Sequence, residues 1–343
     1  ELEPTVPLPE PGRGLPISEF IVADILVRFD HVRGVSEVLR GDPAEVKALL
    51  DAPIDVPSAT TEFPSGPIVR TPSQAEHEAR VLKAKEYILA GDIFQVVLSQ
   101  RFEAPFKLPP FSLYRALRRV NPAPFLYFLD FGGYAVAGSS PEILVRMRDD
   151  TVTIRPIAGT RPRGKTSADD ARLGAELKEN VKERAEHVML IDLERNDLGR
   201  VCTPGSVQVD ELMTLERYSH VMHIVSNVEG MLQDGMTNMD VLKATFPAGT
   251  LTGAPKVHAM ELIDQLEPVK RGLYGGACGY ISYAGDMDVA IAIRTAIVKD
   301  QMLYVQAAAG VVADSIPEME WRETEHKARA LLRASELVEE GLE

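Results

Sequence analysis

Strands in this chain fall into adjacent, turn-linked sets separated by helices, and that order limits the fold more than any other feature. From Pro124 to Pro156 the pattern is a meander of three strands, punctuated by Gly132-Gly133 and Asp149-Asp150. A β-rich piece covers Ser206 to Met231. Three further strands follow at roughly 273–284, 288–299 and 302–312, with turns at Gly285-Asp286 and Asp300-Gln301. Turn-linked neighbours predict antiparallel pairing, because parallel strands need a crossover of about a dozen residues or more between them. The expected class is therefore α+β with antiparallel sheets, and a doubly wound parallel fold is excluded.

Helix signals fill the gaps. Thr71-Pro72-Ser73-Gln74 predicts a helix start with Thr71 as N-cap, Pro72 at the first helical position and Gln74 reaching back. Val81, Leu82, Tyr87 and Ile88 mark its apolar positions, and Gly91 supplies the stop. A strand over Ile93–Phe102 and a short helix over Ser112–Val120 come next. Residues 167–199 form a charged helical stretch, helices are expected at 237–246 and 255–266, and an amphipathic helix runs from Pro317 to Glu339. At the front, residues 1–17 hold five prolines, Phe20–Arg33 suggests one or two strands, and 51–70 has the Pro, Ser and Thr content of a linker or a long loop. The expected division is 1–70 as an abbreviated N-terminal region with linker, and 71–343 as one catalytic domain. The start Glu1-Leu2-Glu3-Pro4 lacks both Met and a signal peptide, and fits a partly represented protein.

Composition removes several function classes. Lys and Arg number 37 against 51 Asp and Glu, so the net charge is −14 and polyanions such as nucleic acid are repelled. Mean hydropathy is −0.06, and no run approaches the ~18 apolar residues of a membrane span. Cys202 and Cys278 are the only cysteines, too few for a disulfide framework or a cysteine-rich zinc site. These features suit the reducing cytoplasm.

Four constellations could carry chemistry. Glu183 and Glu186 stand three apart on one helix, and Glu320 and Glu323 repeat the spacing on another. Two such pairs could share a hard cation such as Mg²⁺, although solvated helix faces show the same spacing. In Asp288–Val298, alternation places Arg294 on a face with Ala290, Ala292 and Ala296. A guanidinium among alanines calls for an anion, either a ligand or an internal carboxylate. His223 shares a strand face with Val221 and Val225, where it could serve as an acid or base or as a hydrogen-bonded core residue. Glycines cluster in Pro156–Gly164, Gly249–Lys256 and Gly272–Tyr280, where backbone N–H groups could approach a carboxylate or simply form turns. None has phosphate-loop or dinucleotide spacing, and no G-x-S-x-G elbow occurs.

Taken in order, GDIFQVVLSQRF, PIAGTRPRG, AEHVMLIDLERNDLGRVC, YSHVMHIVSNVEG, FPAGTLTGAPKVHAMELI, GLYGGACGYISYAGDMDVAIAIRTA and DSIPEMEWRETEHKA resemble the chorismate-binding enzymes over about residues 70–335. The resemblance is strongest to the anthranilate-forming branch. It implies a four-layer α/β/β/α sandwich of two packed, mainly antiparallel sheets. It also implies Mg²⁺ on Glu186 and Glu323, with Glu183 and Glu320 in or near that shell. Tyr274 and Arg294 match the positions that hold the enolpyruvyl carboxylate. Gly159, Thr160, Thr250 and the backbone of Ala308, Ala309 and Gly310 match contacts to the ring end and its carboxylate. His223 matches a residue implicated in catalysis at the ring, and Thr250 is grouped with it.

Two positions choose the branch. Gln95 stands where isochorismate- and salicylate-forming relatives carry a water-activating Lys, which implies ammonia as nucleophile. Ala158 stands where aminodeoxychorismate-forming relatives carry an attacking Lys; an aminodeoxychorismate former with an atypical Ala158 is the alternative. Ala308 replaces a Gly common among relatives. Neither cysteine lies in an amidotransferase motif, so the resemblance implies a separate glutamine amidotransferase subunit and a hetero-oligomer, with neither nucleic acid nor membrane as partner. Pro124-Phe125-Leu126 matches part of the family's tryptophan-inhibitor site, and the rest of that site has no counterpart before residue 70.

Overall fold

The computed structural model describes residues 14–53, 66–218 and 221–341. Contacts divide the chain into a small unit, Pro11–Ser58, and a main unit running from Ala59 to the C-terminus. In the small unit β1 (Leu26–Asp30) pairs antiparallel with β2 (Val35–Arg40), ahead of α1 (Pro43–Asp51). The strands lie later than Phe20–Arg33 because Asp30 ends the first: its carboxylate accepts from the N–H groups of Val32 and Arg33 and turns the chain. Most of the 51–70 linker, residues 54–65, and the expected lead-in over 1–13 lie outside the described residues.

The main unit begins β3 (Val69–Thr71), α2 (Gln74–Ala90), β4 (Gln95–Pro105), α3 (Pro110–Val120), β5 (Phe125–Asp130), β6 (Ala135–Ser140), β7 (Ile143–Arg148), β8 (Thr151–Ile154) and β9 (Ile157–Pro162). It continues α4 (Ser167–Glu179), α5 (Val181–Gly199), β10 (Gln208–Arg217), β11 (Val221–Met231), α6 (Asn238–Thr245), α7 (Gly249–Thr252), β12 (Gly253–Ala254) and α8 (Lys256–Leu266). The last elements are β13 (Ala277–Ile281), β14 (Met287–Ile291), β15 (Thr295–Lys299), β16 (Met302–Val311) and α9 (Pro317–Glu340).

Two antiparallel sheets result. One runs β10-β11-β8-β7-β14-β13 with β9 also on β11; the other runs β12-β4-β16-β15-β6-β5 with β3 also on β4. Helices cover both, the α/β/β/α arrangement that was expected. Ile191 and Leu198 of α5 and Val241 of α6 pack on the first sheet with Val145, Val152 and Val289. Leu113 and Leu117 of α3 and Leu331 of α9 pack on the second with Phe102, Leu303 and Val305. Each of these three leucines is essentially fully buried, which stabilises the layer by about 1.5–3 kcal/mol apiece.

Three local expectations are corrected. The N-cap of α2 is Ser73, not Thr71: Thr71 belongs to β3 and pairs with Arg101, while Ser73 and Glu76 form a reciprocal capping box. The charged stretch is two helices, divided at Asn180, which ends α4 and caps α5 by accepting from the Glu183 N–H.

The third correction positions the site. The Pro124–Pro156 meander has four strands, and the chain leaves one sheet for the other at Ser140-Pro141-Glu142. Likewise the single strand expected over 288–299 breaks at Ala292–Arg294, where Arg294 takes φ +48° and the chain crosses back. The simple alternation of Ala290, Ala292, Arg294 and Ala296 therefore does not hold. The two crossings run side by side: Ser139 N–H donates to the Arg294 carbonyl at 3.0 Å, and Ile291 N–H to the Glu142 carbonyl at 3.1 Å.

Candidate active site

Because the crossings are hydrogen-bonded to each other, Glu142 and Arg294 leave the backbone where the two sheets exchange strands. The Gly-rich loop before β13 joins them. Gly275 N–H donates to the Ala292 carbonyl at 3.0 Å and Ala292 N–H returns to Gly276 at 2.8 Å, which places Tyr274 beside Arg294. Arg294 is desolvated, which lowers its pKa, while Tyr274, Glu142 and Glu323 pull it back up. Tyr274 is likewise pushed up by burial, against Arg271 and Arg294. The Arg271 guanidinium lies 5.7 Å from the Tyr274 ring centre and is itself tied to Glu267 at 2.7 Å and to the carbonyls of Leu251 and Val97 at 2.6 Å.

Glu142 is a candidate site residue that sequence reasoning missed. Burial pushes its carboxyl up to about 7, against the lowering pull of Thr250, Arg294 and Lys327. Its one sequence signal was an acid following Ser-Ser-Pro inside an otherwise apolar run. Thr250, on α7, sets its buried hydroxyl beside that carboxyl, and its hydrogen-bonding pull on Glu142 is the largest of the three.

The acidic pairs also converge. Glu186 is raised above the usual carboxylate range, first by burial and then by the charges of Glu183 and Glu323. Glu320 is raised by burial and by Glu323. Glu183 already pairs with Arg161 at 3.2 Å. Glu323 pairs with Lys327 at 2.5 Å, and the same ammonium donates to the Ala308 carbonyl at 2.9 Å. Lys327, also missed, sits one turn beyond Glu323 on the same face of α9, four residues on where the acids stand three apart. Among the described residues no three His, Cys, Asp or Glu side chains close into a ready metal cage. Two mutually repelling carboxylates, Glu186 and Glu323, nevertheless fit Mg²⁺, which typically takes one or two carboxylates and keeps waters or substrate oxygens.

His223 of β11 reaches toward β9. Its Nδ1 lies 2.8 Å from the Gly159 carbonyl and 3.2 Å from the Thr160 hydroxyl. A carbonyl only accepts, so Nδ1 carries the proton and Nε2 keeps a free lone pair. Burial lowers the His223 pKa, so the ring is held neutral. Gly159 itself has φ +63°, and a Cβ there would meet Leu177 at 2.8 Å and Glu183 at 3.0 Å. Its backbone therefore lies directly against the acidic face of α5.

Small residues shape the remaining wall. Ala308 and Ala309 are buried in β16. A Cβ on Gly310 would sit 2.5 Å from the Gln95 Nε2. Gln95 is 5% exposed, and its Oε1 has no partner. The Pro124–Leu126 segment pairs with the crossing, Phe125 opposite Ser140, and lines a cavity of about 560 Å³ with Tyr218 and Cys278.

A model of the chorismate binding enzyme family matches residues 2–333. Anthranilate synthase component 1 of Neisseria meningitidis is 61% identical over 266 residues, 78% of this chain and 54% of that protein. The Pseudomonas putida protein of the same name is 51% identical over 354 residues, 97% of this chain and 71% of its own length. The crystal structure of anthranilate synthase component I from Streptococcus pneumoniae superposes with a TM-score of 0.80 at 42% identity, covering 88% of this chain and 71% of that one. MenF, the menaquinone-specific isochorismate synthase of Escherichia coli, follows at TM-score 0.74 and 25% identity, covering 85% of this chain and 67% of its own. The chain thus spans only about half the length of its Neisseria relative. With the family match running through both sheets and every group that converges on the crossings, the chain belongs to the chorismate-binding enzymes.

Proposed function

We propose that this chain is the catalytic part of an anthranilate synthase component 1, converting chorismate and ammonia to anthranilate and pyruvate with Mg²⁺ as cofactor. The observation that carries this reading is the pair of joined crossings. They set a desolvated guanidinium, Arg294, beside an acid, Glu142, whose carboxyl burial pushes up to about 7. One group suits a carboxylate; the other suits an oxygen that must leave as water.

Arg294 and Tyr274 hold the enolpyruvyl carboxylate. The ring end rests against Gly159, Thr160, Thr250 and the small residues Ala308 to Gly310. Glu186 and Glu323, with Glu183 and Glu320 near them, would hold Mg²⁺, which would polarise the ring carboxylate. Glu142 donates its proton to the ring hydroxyl as ammonia adds and the hydroxyl leaves, giving 2-amino-2-deoxyisochorismate. His223 then takes the ring proton on its free Nε2, pyruvate departs and the ring becomes aromatic.

Two residues support amination without a covalent adduct. Gln95 cannot deprotonate water, and its unpartnered Oε1 can accept from an ammonia N–H. Ala158 is buried and offers no nucleophile, so the aminodeoxychorismate-forming alternative is not favoured. Ammonia is supplied by a separate glutamine amidotransferase subunit, and the enzyme works in the cytoplasm. No helix among the described residues is long and apolar enough to cross a membrane.

The test is incubation with chorismate, Mg²⁺ and an ammonium salt. Anthranilate and pyruvate should appear in equal amounts. Folded protein that yields no anthranilate overturns the reading, and an aminated product without pyruvate favours the alternative.

A further inference from the structure

Glu194 on α5 is a carboxyl with no evident use. It is 9% exposed, and its Oε2 meets no hydrogen-bond donor. The charged groups facing it are Glu142 from the sheet crossing, Asp197 from its own helix and Lys256 from α8. Lys256 is already committed: its ammonium lies 2.6 Å from the Asp197 carboxylate and 3.4 Å from the Thr245 carbonyl. An ionised Glu194 would therefore sit in the interior facing two like charges with one oxygen unpaired, a costly state. Burial above all, with Glu142 and Asp197 behind it, holds its carboxyl well above the usual range. The same helix carries Glu186 to the site about two turns earlier, and α7, whose Thr250 stands beside Glu142, packs on α5.

We propose that Glu194 is the proton reserve of Glu142, recharging it through an intervening water inside the closed site. This rests on the reaction proposed above. When Glu142 gives its proton to the ring hydroxyl, the carbon–oxygen bond breaks, water leaves and Glu142 remains as carboxylate. Glu194 passes its proton to the intervening water, which gives one to Glu142, and Glu194 becomes the carboxylate. The proton shed by the newly bonded nitrogen, as its ammonium form becomes the amine, restores Glu194. Around Glu142 itself the facing groups are the Thr250 hydroxyl, the cations Arg294 and Lys327, and Glu194.

The experiment compares kcat against pH for the wild type and Glu194→Gln, an amide of the same shape that holds no transferable proton. The wild type should keep its kcat above pH 7. In Glu194→Gln the alkaline limb should move down by about one pH unit, with kcat at pH 8 reduced about tenfold and KM for chorismate unchanged. Superimposable profiles, or a loss equal at every pH as a structural role would give, overturn the proposal. Infrared difference titration of the unliganded wild type supplies a readout without turnover. A protonated-carboxyl stretch should persist at pH 8 and shift in Glu194→Asp; its absence overturns the reserve whether or not the amide variant folds. Failure to form anthranilate would sink the reaction while leaving that band in place, so the two failures are distinguishable.

Discussion

Gly159 serves two purposes at once. Its φ of +63° and the absence of a Cβ let its backbone lie against Glu183, and its carbonyl fixes the His223 proton on Nδ1. Gly159→Ala should cost about 1–2 kcal/mol from the left-handed backbone alone. It should also lower kcat about 100-fold by shifting His223 and the α5 acids, measured as urea midpoint and turnover on the same protein. Glu323→Ala should abolish Mg²⁺-dependent turnover with the fold intact, because Glu323 is half exposed and its ion pair is with Lys327 one turn along the same helix; unchanged activity would refute the proposed role as a metal ligand. Residue by residue, legibility followed periodicity. Glu183 with Glu186 and Glu320 with Glu323 showed themselves by helical spacing. Glu142 belongs to no repeat, because a chain that crosses between sheets abandons both periods at that point.

At the scale of elements, the signals that survived were local and chemical. Gly91 does end α2 with φ +86°, and Asp300-Gln301 does turn β15 into β16 with φ near +51° and +60°. The breaks at 140–142 and 292–294 were hidden because β6, β7, β14 and β15 are buried nearly throughout, so apolar character continues past each crossing. The contact of α2 with α9 carries a prediction of its own. His77 is 1% exposed, stands edge-on to Trp321 at 5.5 Å, and burial pulls its pKa down to about 4. Below about pH 6.5 the unfolded chain takes up a proton that folded His77 refuses, so its contribution falls as pH drops from 6.5 toward 4 and is constant below. Relative to His77→Phe, which keeps an aromatic edge there, the wild type should lose about 1.4 kcal/mol per pH unit across that window. Parallel pH profiles of urea stability would disprove the linkage.

For the molecule as a whole, the charge of −14 separates two kinds of anion. Long polyanions are repelled by the surface, whereas the small dianion of the proposed reaction would meet the cations Arg294 and Lys327. The same whole-chain view bears on the proposed source of nitrogen. Hydrolysing glutamine requires an activated nucleophile, and thiolates serve that purpose only when their pKa is depressed. Here burial pushes Cys202 up to about 11 and Cys278 up to about 12, so at neutral pH both are inert thiols. Anthranilate fluorescence should therefore rise when the isolated chain receives chorismate, Mg²⁺ and ammonium, and stay flat when glutamine replaces ammonium. Iodoacetamide at pH 7.5 should leave the ammonium-dependent rate unchanged. Restoration of glutamine use by an added amidotransferase subunit would complete the assignment, while glutamine turnover by this chain alone would show that a nucleophile other than these thiols is at work and would remove the need for a second subunit.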